Sequence, residues 1–461
     1  MDRNRRRFLR YAAAGGLAYA FGRTPDTVYA QVAGAGGFAD YKALVCLFLF
    51  GGNDSWNMFV PTSTAEYNAY ARSRGGGTAS SLAIDRSALL PVTTATPPPD
   101  GVTFGFHPSM TGMRDLFQAG HAAVLANVGP LIRPTTKAQF LTPGHDLPPQ
   151  LFSHNDQQDQ WQSLRGKAIL KSGWGGRVAD VLAAQTADQQ LALNVSLAGQ
   201  TFFQAGEVAR PYVMGATGAT TFAGFGNAAV GQGRRAAFEA IANANYGTVY
   251  ERAFAGVQRR AVQYADRVNT ALAGAHSFTS LPDSGVTLSP LATQLRTVAK
   301  MISARSSLTM SRQVFFVSTG GFDTHDGQID DQPGLLANIS DSIRLFHAAL
   351  TEIGMENSAT LFTNSDFGRT LTSNGDGSDH AWGGVQLVVG GAVRGQQVYG
   401  QYPLLEIGSD QDVGAGRFIP TTSADQYAAT LARWFGVQDA ELPQVAPNVG
   451  NFAVRDLGFL G

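Results

Sequence analysis

The chain has 461 residues, which at ~100–200 residues per domain allows several domains or one large elaborated one. Hydrophobic residues make up 44% and charged residues 15%, which excludes the disordered, polyelectrolyte and coiled-coil classes. With 34 Lys plus Arg against 35 Asp plus Glu, a net charge of −1, the molecule has no global field to draw in a phosphate backbone, so nucleic acid is not an expected partner.

The chain opens on Arg3, Arg5, Arg6 and Arg7, followed by a weakly apolar stretch from Tyr11 to Phe21 and small residues around Ala30 to Ala33. A basic start, an apolar middle and a small-residue end are the parts of a signal peptide. The order Arg5-Arg6-Arg7-Phe8-Leu9-Arg10 looks like a twin-arginine signal. Residues 1–33 are therefore expected to be a signal, the protein periplasmic or secreted, and the twin-arginine translocase its partner during export. No later segment reaches the ~18 apolar residues that span a bilayer, so no membrane contact is expected after cleavage. The single cysteine, Cys46, forbids an intramolecular disulfide and, inside an apolar run, reads as a small buried thiol.

In the mature chain, short apolar runs bounded by Gly, Asn or Asp predict buried strands at Ala43 to Phe50, Ala122 to Val128, Leu191 to Leu197, Gln313 to Ser318, Ala359 to Thr363 and Val385 to Val389. Amphipathic patterns predict helices at Ser109 to Ala119, Gln157 to Leu164, Trp174 to Ala184, Leu291 to Ala304 and Leu335 to Ile353. The longest pattern, Tyr246 to Leu272, carries Tyr250, Phe254, Val257, Ala261, Tyr264, Val268 and Leu272 on one stripe, which predicts a packing helix with its arginines in water. Strands alternating with helices give an α/β fold, a mostly parallel sheet covered on both faces. Arg74 to Gly101 and the Gly-rich Ala205 to Gly233 read as long loops. Gly224-Phe225-Gly226 lacks the preceding strand and following acid of a dinucleotide fingerprint. One large domain over 40–461, with an insertion at about 205–275, is expected.

Three acids fall just past the ends of expected strands: Asp54 in Gly51-Gly52-Asn53-Asp54, Asp323 in Gly320-Gly321-Phe322-Asp323-Thr324-His325, and Asp366 in Asn364-Ser365-Asp366-Phe367-Gly368-Arg369. In a parallel sheet those ends share the ligand-binding edge. Three carboxylates crowded there need a metal or protons. His325, and His380 in Asp379-His380-Ala381-Trp382, supply the nitrogen ligands that suit Zn, Mn or Fe, whereas carboxylates alone suit Mg or Ca. Taken singly, each Asp after a Gly pair also fits an Asx turn. Ser153, before a helix in Phe152-Ser153-His154, reads first as a helix cap and is also the candidate nucleophile, with Ser55 and Thr136 as alternatives. Arg369 suits an anionic oxygen or an ion pair. His107 is a supporting candidate, and Trp161 and Trp382 read as packing. A serine hydrolase is disfavoured, since no Gly-x-Ser-x-Gly elbow follows a strand.

The twin-arginine-type start, LVCLFLFGGNDSWNMFVP (44–61), GGFDTHDGQ (320–328), TNSDFGRT (363–370), DHAWGG (379–384) and DQYAATLARWFG (425–436) resemble, in order, a large family of exported bacterial proteins of unknown function within the alkaline phosphatase and sulfatase superfamily. The resemblance implies a three-layer α/β/α sandwich, alkaline phosphatase-like, with Gly-rich insertions. It implies one or two divalent metal ions (Zn, Mn, Fe or Ca), Asp54 and Asp366 holding one and Asp323, His325 and His380 the other. It also implies an anionic phosphate- or sulfate-type ester substrate, with Ser153 where the nucleophile-bearing helix begins. The chain departs from alkaline phosphatases in having Phe367 where they have His after the Asp, and in a two-residue step from Asp323 to His325. It has no Cys-x-Pro-x-Arg of formylglycine sulfatases. An exported metal-dependent hydrolase or transferase is the expected function, and a non-catalytic periplasmic scaffold or binding protein with a degenerate site is the alternative.

Overall fold

The computed structural model describes residues 37–98, 100–222, 224–226 and 228–461, so the expected signal lies outside the described residues. Among them the strands are, in chain order, β1 (Lys42–Leu49), β2 (Phe59–Pro61), β3 (Leu90–Val92), β4 (Phe104–Phe106), β5 (Ala122–Gly129), β6 (Asn194–Ser196) and β7 (Tyr212–Val213). They continue with β8 (Arg312–Thr319), β9 (Ala359–Ser365), β10 (Arg369–Ser373), β11 (Ser378–His380), β12 (Gly384–Val389), β13 (Val398–Tyr399) and β14 (Thr422–Ser423). The central sheet has nine strands in the order β13-β5-β12-β9-β1-β8-β6-β7, with β14 beside β5. Every pairing in it is parallel except those of β12, which runs against both β5 and β9.

β1 shows why the core strands read as unbroken apolar runs. Ala43, Val45, Leu47 and Leu49 join the core on one face, while Leu44, Cys46 and Phe48 join the core on the other. Strands buried on both faces lose the polar alternation of a half-exposed sheet. The first face is covered by helices Thr111–Gln118, Pro290–Ser303 and Gln328–Glu352, the second by Trp174–Val181, Ala424–Phe435 and Leu442–Val445. The result is the three-layer α/β/α sandwich. Cys46 is a buried free thiol.

Two registers set up everything that follows. Leu49, the last residue of β1, lies opposite Thr319 at the end of β8 and Ser365 at the end of β9. The loops carrying Asp54, Asp323 and Asp366 therefore leave the sheet side by side. Because β12 is reversed, its beginning at Gly384 reaches the same edge, and the segment just before it brings in His380.

Several elements differ from expectation. The strand expected over Leu191 to Leu197 shrinks to β6, and both long loops contain elements: β3 in the first, β7 and the start of helix Ala229–Ala242 in the second. The helix expected from Leu335 starts at Gln328 and contains Pro333. Helix Val249–Ala273 forms, but its packed face runs through Ala255, Val262, Ala265, Val268 and Ala271. Tyr250, Phe254 and Val257 are 84%, 68% and 53% exposed, so the first half of the expected stripe covers nothing. Small residues dominate the packed face because they let the helix lie close to its neighbours. Among the described residues no helix is long and apolar enough to cross a membrane.

Candidate metal centre

The edge is held together by backbone close to backbone. Gly51 and Gly52 have φ of 115° and 83°. A Cβ on Gly51 would stand 2.4 Å from the Asp323 amide nitrogen, and one on Gly52 would strike the Phe367 ring at 2.3 Å. Only glycine allows the loop after β1 to lie so close to the loops after β8 and β9. Ser365 bridges two of them, its hydroxyl donating to the Leu49 carbonyl at 2.7 Å while accepting from the Asn53 amide at 2.8 Å.

Arg369 completes the fastening. Its guanidinium, fully buried, donates to the carbonyls of Gly52 (2.8 Å), Ser378 (2.7 Å), Gly51 (2.5 Å) and Phe322 (3.1 Å), and also to Asp323. All of its reach is spent on protein, so Arg369 does not offer the free fork that recognition of an anionic oxygen needs. It is a positioning residue for Asp323.

Ring nitrogens and carboxylate oxygens of His154, Asp323 and His380 converge, all within 4.8 Å of one another. Each histidine here is oriented through Nδ1. His154 Nδ1 lies 2.7 Å from Asp366 Oδ2, His380 Nδ1 lies 2.8 Å from the Phe152 carbonyl, and His325 Nδ1 lies 3.2 Å from Asp379 Oδ1. Oxygen acceptors on every Nδ1 place the hydrogen there and leave each Nε2 with its lone pair, the arrangement found behind metal-bound histidines. The Nε2 atoms of His325 and His380 stand 2.7 Å apart, two lone pairs face to face that require a shared proton or a cation. His325 Nε2 is 3.3 Å and His380 Nε2 3.4 Å from Asp323 Oδ1, while His154 Nε2 is 3.4 Å from Asp323 Oδ2. His154 Nε2 and Asp366 Oδ1 are buried without a hydrogen-bond partner. Orphaned acceptors around converging nitrogens fit a divalent cation by their chemistry.

Electrostatics agree with that fit. Partial burial acts to raise the Asp323 carboxyl, but the hydrogen bond and charge of Arg369, with His154 and His325 behind them, outweigh it and hold the acid below its usual range. Burial is the largest cause holding His380 below the ordinary imidazole value. The Phe152 carbonyl opposes it, and the charges of Arg369, His154 and His325 add to it. An ionised carboxylate beside a neutral imidazole is the protonation state in which these groups bind metal.

The structure separates the expected ligands. Asp323, His325 and His380 come together, and Asp366 stands behind His154, its Oδ2 also accepting from Gln158 Nε2 at 2.9 Å. Asp54 is engaged elsewhere. Its carboxylate, 1% exposed, is forked by Arg74 at 2.6 and 2.5 Å, and takes further bonds from the Trp56 amide at 3.2 Å and Gln328 Nε2 at 2.5 Å. Four donors leave Asp54 no lone pair for a metal. The Phe367 ring packs against His154 and His380 at 4.8 and 4.5 Å between centroids.

His154, absent from the sequence-derived ligand set, is the first residue of helix His154–Ser163. The signal for it was a histidine one turn before Gln158 at the start of a helix that buries glutamines, Gln157 and Gln160, in place of apolar residues. Ser153 occupies the N-cap position, yet its hydroxyl makes no cap bond and donates to Asp156 at 2.9 Å. It sits between His154 and Phe152, the residue whose carbonyl holds His380. Gln150 and Phe152 take φ of 51° and 73°, a strained route for non-glycine residues into this position. The alternatives do structural work: Ser55 Oγ accepts from the Val385 amide at 2.7 Å and Thr136 closes a capping box with Gln139. His107 Nδ1 accepts from the Ser109 amide at 3.1 Å, and burial, partly offset by Asp54, lowers its ring to about 4. Trp161 and Trp382 are buried packing residues. A cavity of about 660 Å³ lies between Leu131–Ala138, Ile419–Thr421 and Phe452–Val454, and none of the clustered ligands lines it.

Fold and cluster together define an α/β/α sandwich with a histidine–carboxylate centre at the carboxyl edge of its sheet. The chain belongs to the family described as protein of unknown function (DUF1501), which matches residues 41–445. No curated protein matches it. Among solved structures it is similar to Ps i-CgsB in complex with k-i-k-neocarrahexaose, at 9% identity and a TM-score of 0.34, covering 89% of this chain and 77% of that one. It is also similar to a protein described with the metabolism of multiple glycosaminoglycans by Bacteroides thetaiotaomicron, at 12% identity and a TM-score of 0.30, covering 87% and 74%. Likenesses this slight say nothing about reaction or substrate.

Proposed function

We propose that this chain is an exported, metal-dependent hydrolase or transferase of phosphate- or sulfate-type esters, alkaline phosphatase-like in plan. The observation that carries the reading is the convergence of His154, Asp323 and His380, each histidine fixed through Nδ1 with its Nε2 turned inward. These three residues, with His325 beside them, would hold a divalent ion, Zn best by ligand type. When bound, such an ion polarises ester oxygens and lowers the pKa of a hydroxyl or water next to it.

The chain's own residues supply the rest. Asp366 and Gln158 keep His154 in one tautomer and one orientation, and Arg369 holds Asp323 ionised and in place. Ser153 is the nucleophile in this reading: its Oγ forms the bond to phosphorus or sulfur as the bond to the ester oxygen breaks, its hydrogen passes to Asp156, which already accepts it, and from there to the departing oxygen, which leaves as the alcohol. Water then releases the enzyme-bound group, or an acceptor alcohol takes it.

A second reading, a periplasmic scaffold or binding protein with a degenerate site, is favoured by the engagement of Asp54 and by Phe367. One experiment separates them. The mature protein is purified without chelators, its metal content measured by mass spectrometry, and turnover of aryl phosphates and sulfates followed beside Asp323→Asn and His154→Ala. Near-stoichiometric metal and turnover, both lost in the variants, are expected. Turnover untouched by Asp323→Asn removes this centre from the mechanism, and a metal-free wild type without turnover leaves the scaffold.

A further inference from the structure

We infer that the guanidinium of Arg74 is a permanent internal cation standing where Asp54 would otherwise help hold a second metal ion, so that the crevice takes one exchangeable ion per chain. The inference rests on the metal-binding reading above and concerns its stoichiometry and charge.

Three observations carry it. Arg74 and Asp54 are 0% and 1% exposed, and the guanidinium forks the carboxylate with a bond to each oxygen. The remaining acceptor capacity of Asp54 is consumed by Gln328 Nε2 and the Trp56 amide, while Gln332 Nε2 takes its backbone carbonyl at 2.8 Å. Finally, the Phe367 ring packs onto Gly52, two residues before Asp54, so closely that no side chain could stand there.

Arg74 is not a loose surface residue that has folded back. It caps the C-terminus of helix Thr64–Ser73, its own amide bonded to the Tyr70 carbonyl and its guanidinium 5.9 Å from the Tyr70 ring. Tyr70 is tied in turn to Asn57 by a hydroxyl bond of 2.7 Å, within the short helix that Asp54 caps. Sequence-distant pieces thus bring one positive charge to one carboxylate. A bound metal supplies that charge reversibly, whereas an arginine supplies it covalently and always protonated. A chelator would remove a bound ion and leave the Arg74 charge with Asp54.

The test is Zn²⁺ titration of the chelator-stripped full mature protein by calorimetry, with bound zinc counted by mass spectrometry. One equivalent is expected for the wild type. One equivalent is also expected for the Asp54→Asn, Arg74→Leu double variant, which removes both charges together. Arg74→Ala combined with Phe367→His, which frees Asp54 and restores a nitrogen ligand, is expected to move toward two. Two equivalents in the wild type, or loss of the single equivalent in the Asp54→Asn, Arg74→Leu variant, overturns the inference and leaves the metal reading standing. No zinc in the wild type overturns the metal reading itself and the inference with it. The wild-type count decides the matter even where a variant fails to fold.

Discussion

Asp54 and Asp366 leave neighbouring strands, β1 and β9, at one sheet edge, and they are satisfied in opposite ways. Asp54 has a fixed cation and two further donors on its two oxygens. Asp366, equally buried, gives one oxygen to His154 and Gln158 and keeps the other without a partner. Around Asp54 every carboxylate lone pair meets a donor, and only the Arg74 Nε is left without a partner, so that half reads as structural. Around Asp366 the protein has oriented its groups and left one oxygen open, which is what the proposed metal site requires. Burial alone therefore does not separate a functional acid from a structural one; the accounting of its lone pairs does.

The comparison breaks most visibly at Arg74. Arg74→Ala leaves the Asp54 charge buried without its partner, and a loss of about 3–5 kcal/mol is expected in chemical denaturation; a loss below about 1 kcal/mol would mean that water already reaches Asp54. Asp425 offers a buried acid with no such fork. Burial, opposed by hydrogen bonds from Asn448 and the charge of Arg177, lifts its carboxyl from 3.8 to about 7. Between those values the folded chain holds a proton that the unfolded chain has released, so this group's contribution to stability falls as pH rises through the window and levels off above it. Wild type is expected to lose on the order of 3 kcal/mol of this contribution between pH 4 and 8, a slope absent in Asp425→Asn.

On the incomplete half the effects are smaller and conditional. Zinc at about a hundredfold excess over its Kd should stabilise the wild type by about 2.7 kcal/mol and His154→Ala not at all, read as the shift of the denaturation midpoint. An equal shift in both proteins would place the zinc elsewhere. Least of all should change at Tyr250 and Phe254. Serine at either is expected to move stability by less than about 0.5 kcal/mol, because neither ring covers anything.

The sequence made the sheet legible where strands are long and apolar on both faces, as in β1, β8 and β9, overran the short β6 and missed the two-residue β7. It located Asp323, His325 and His380 because strand ends mark the edge. His154 escaped because a helix start carries no such mark, and its place in the cluster is made only by tertiary packing. Arg74 escaped because it opens a Gly-rich stretch that reads as loop. Arg369 was legible as important and not as to its task, since nothing local tells a buried clamp from an arginine facing substrate. The Tyr250 stripe misled for a related reason: periodicity reports a face that can pack, and the structure decides what meets it.

The registers of β1 carry a consequence for how the molecule is made. Lys42 faces Arg312, and Ala43 faces Ala359. A ribosome adding about 5–20 residues per second leaves this apolar strand without either neighbour for on the order of tens of seconds. Contacts so distant in sequence close late and slowly. Until β8 and β9 emerge, β1 is an exposed β-former, apolar in every residue after Lys42 and of the kind that aggregates, and an N-terminal fragment ending before Ala359 is expected to precipitate instead of folding. The strand that makes the finished edge rigid is, during synthesis, the segment most in need of a chaperone.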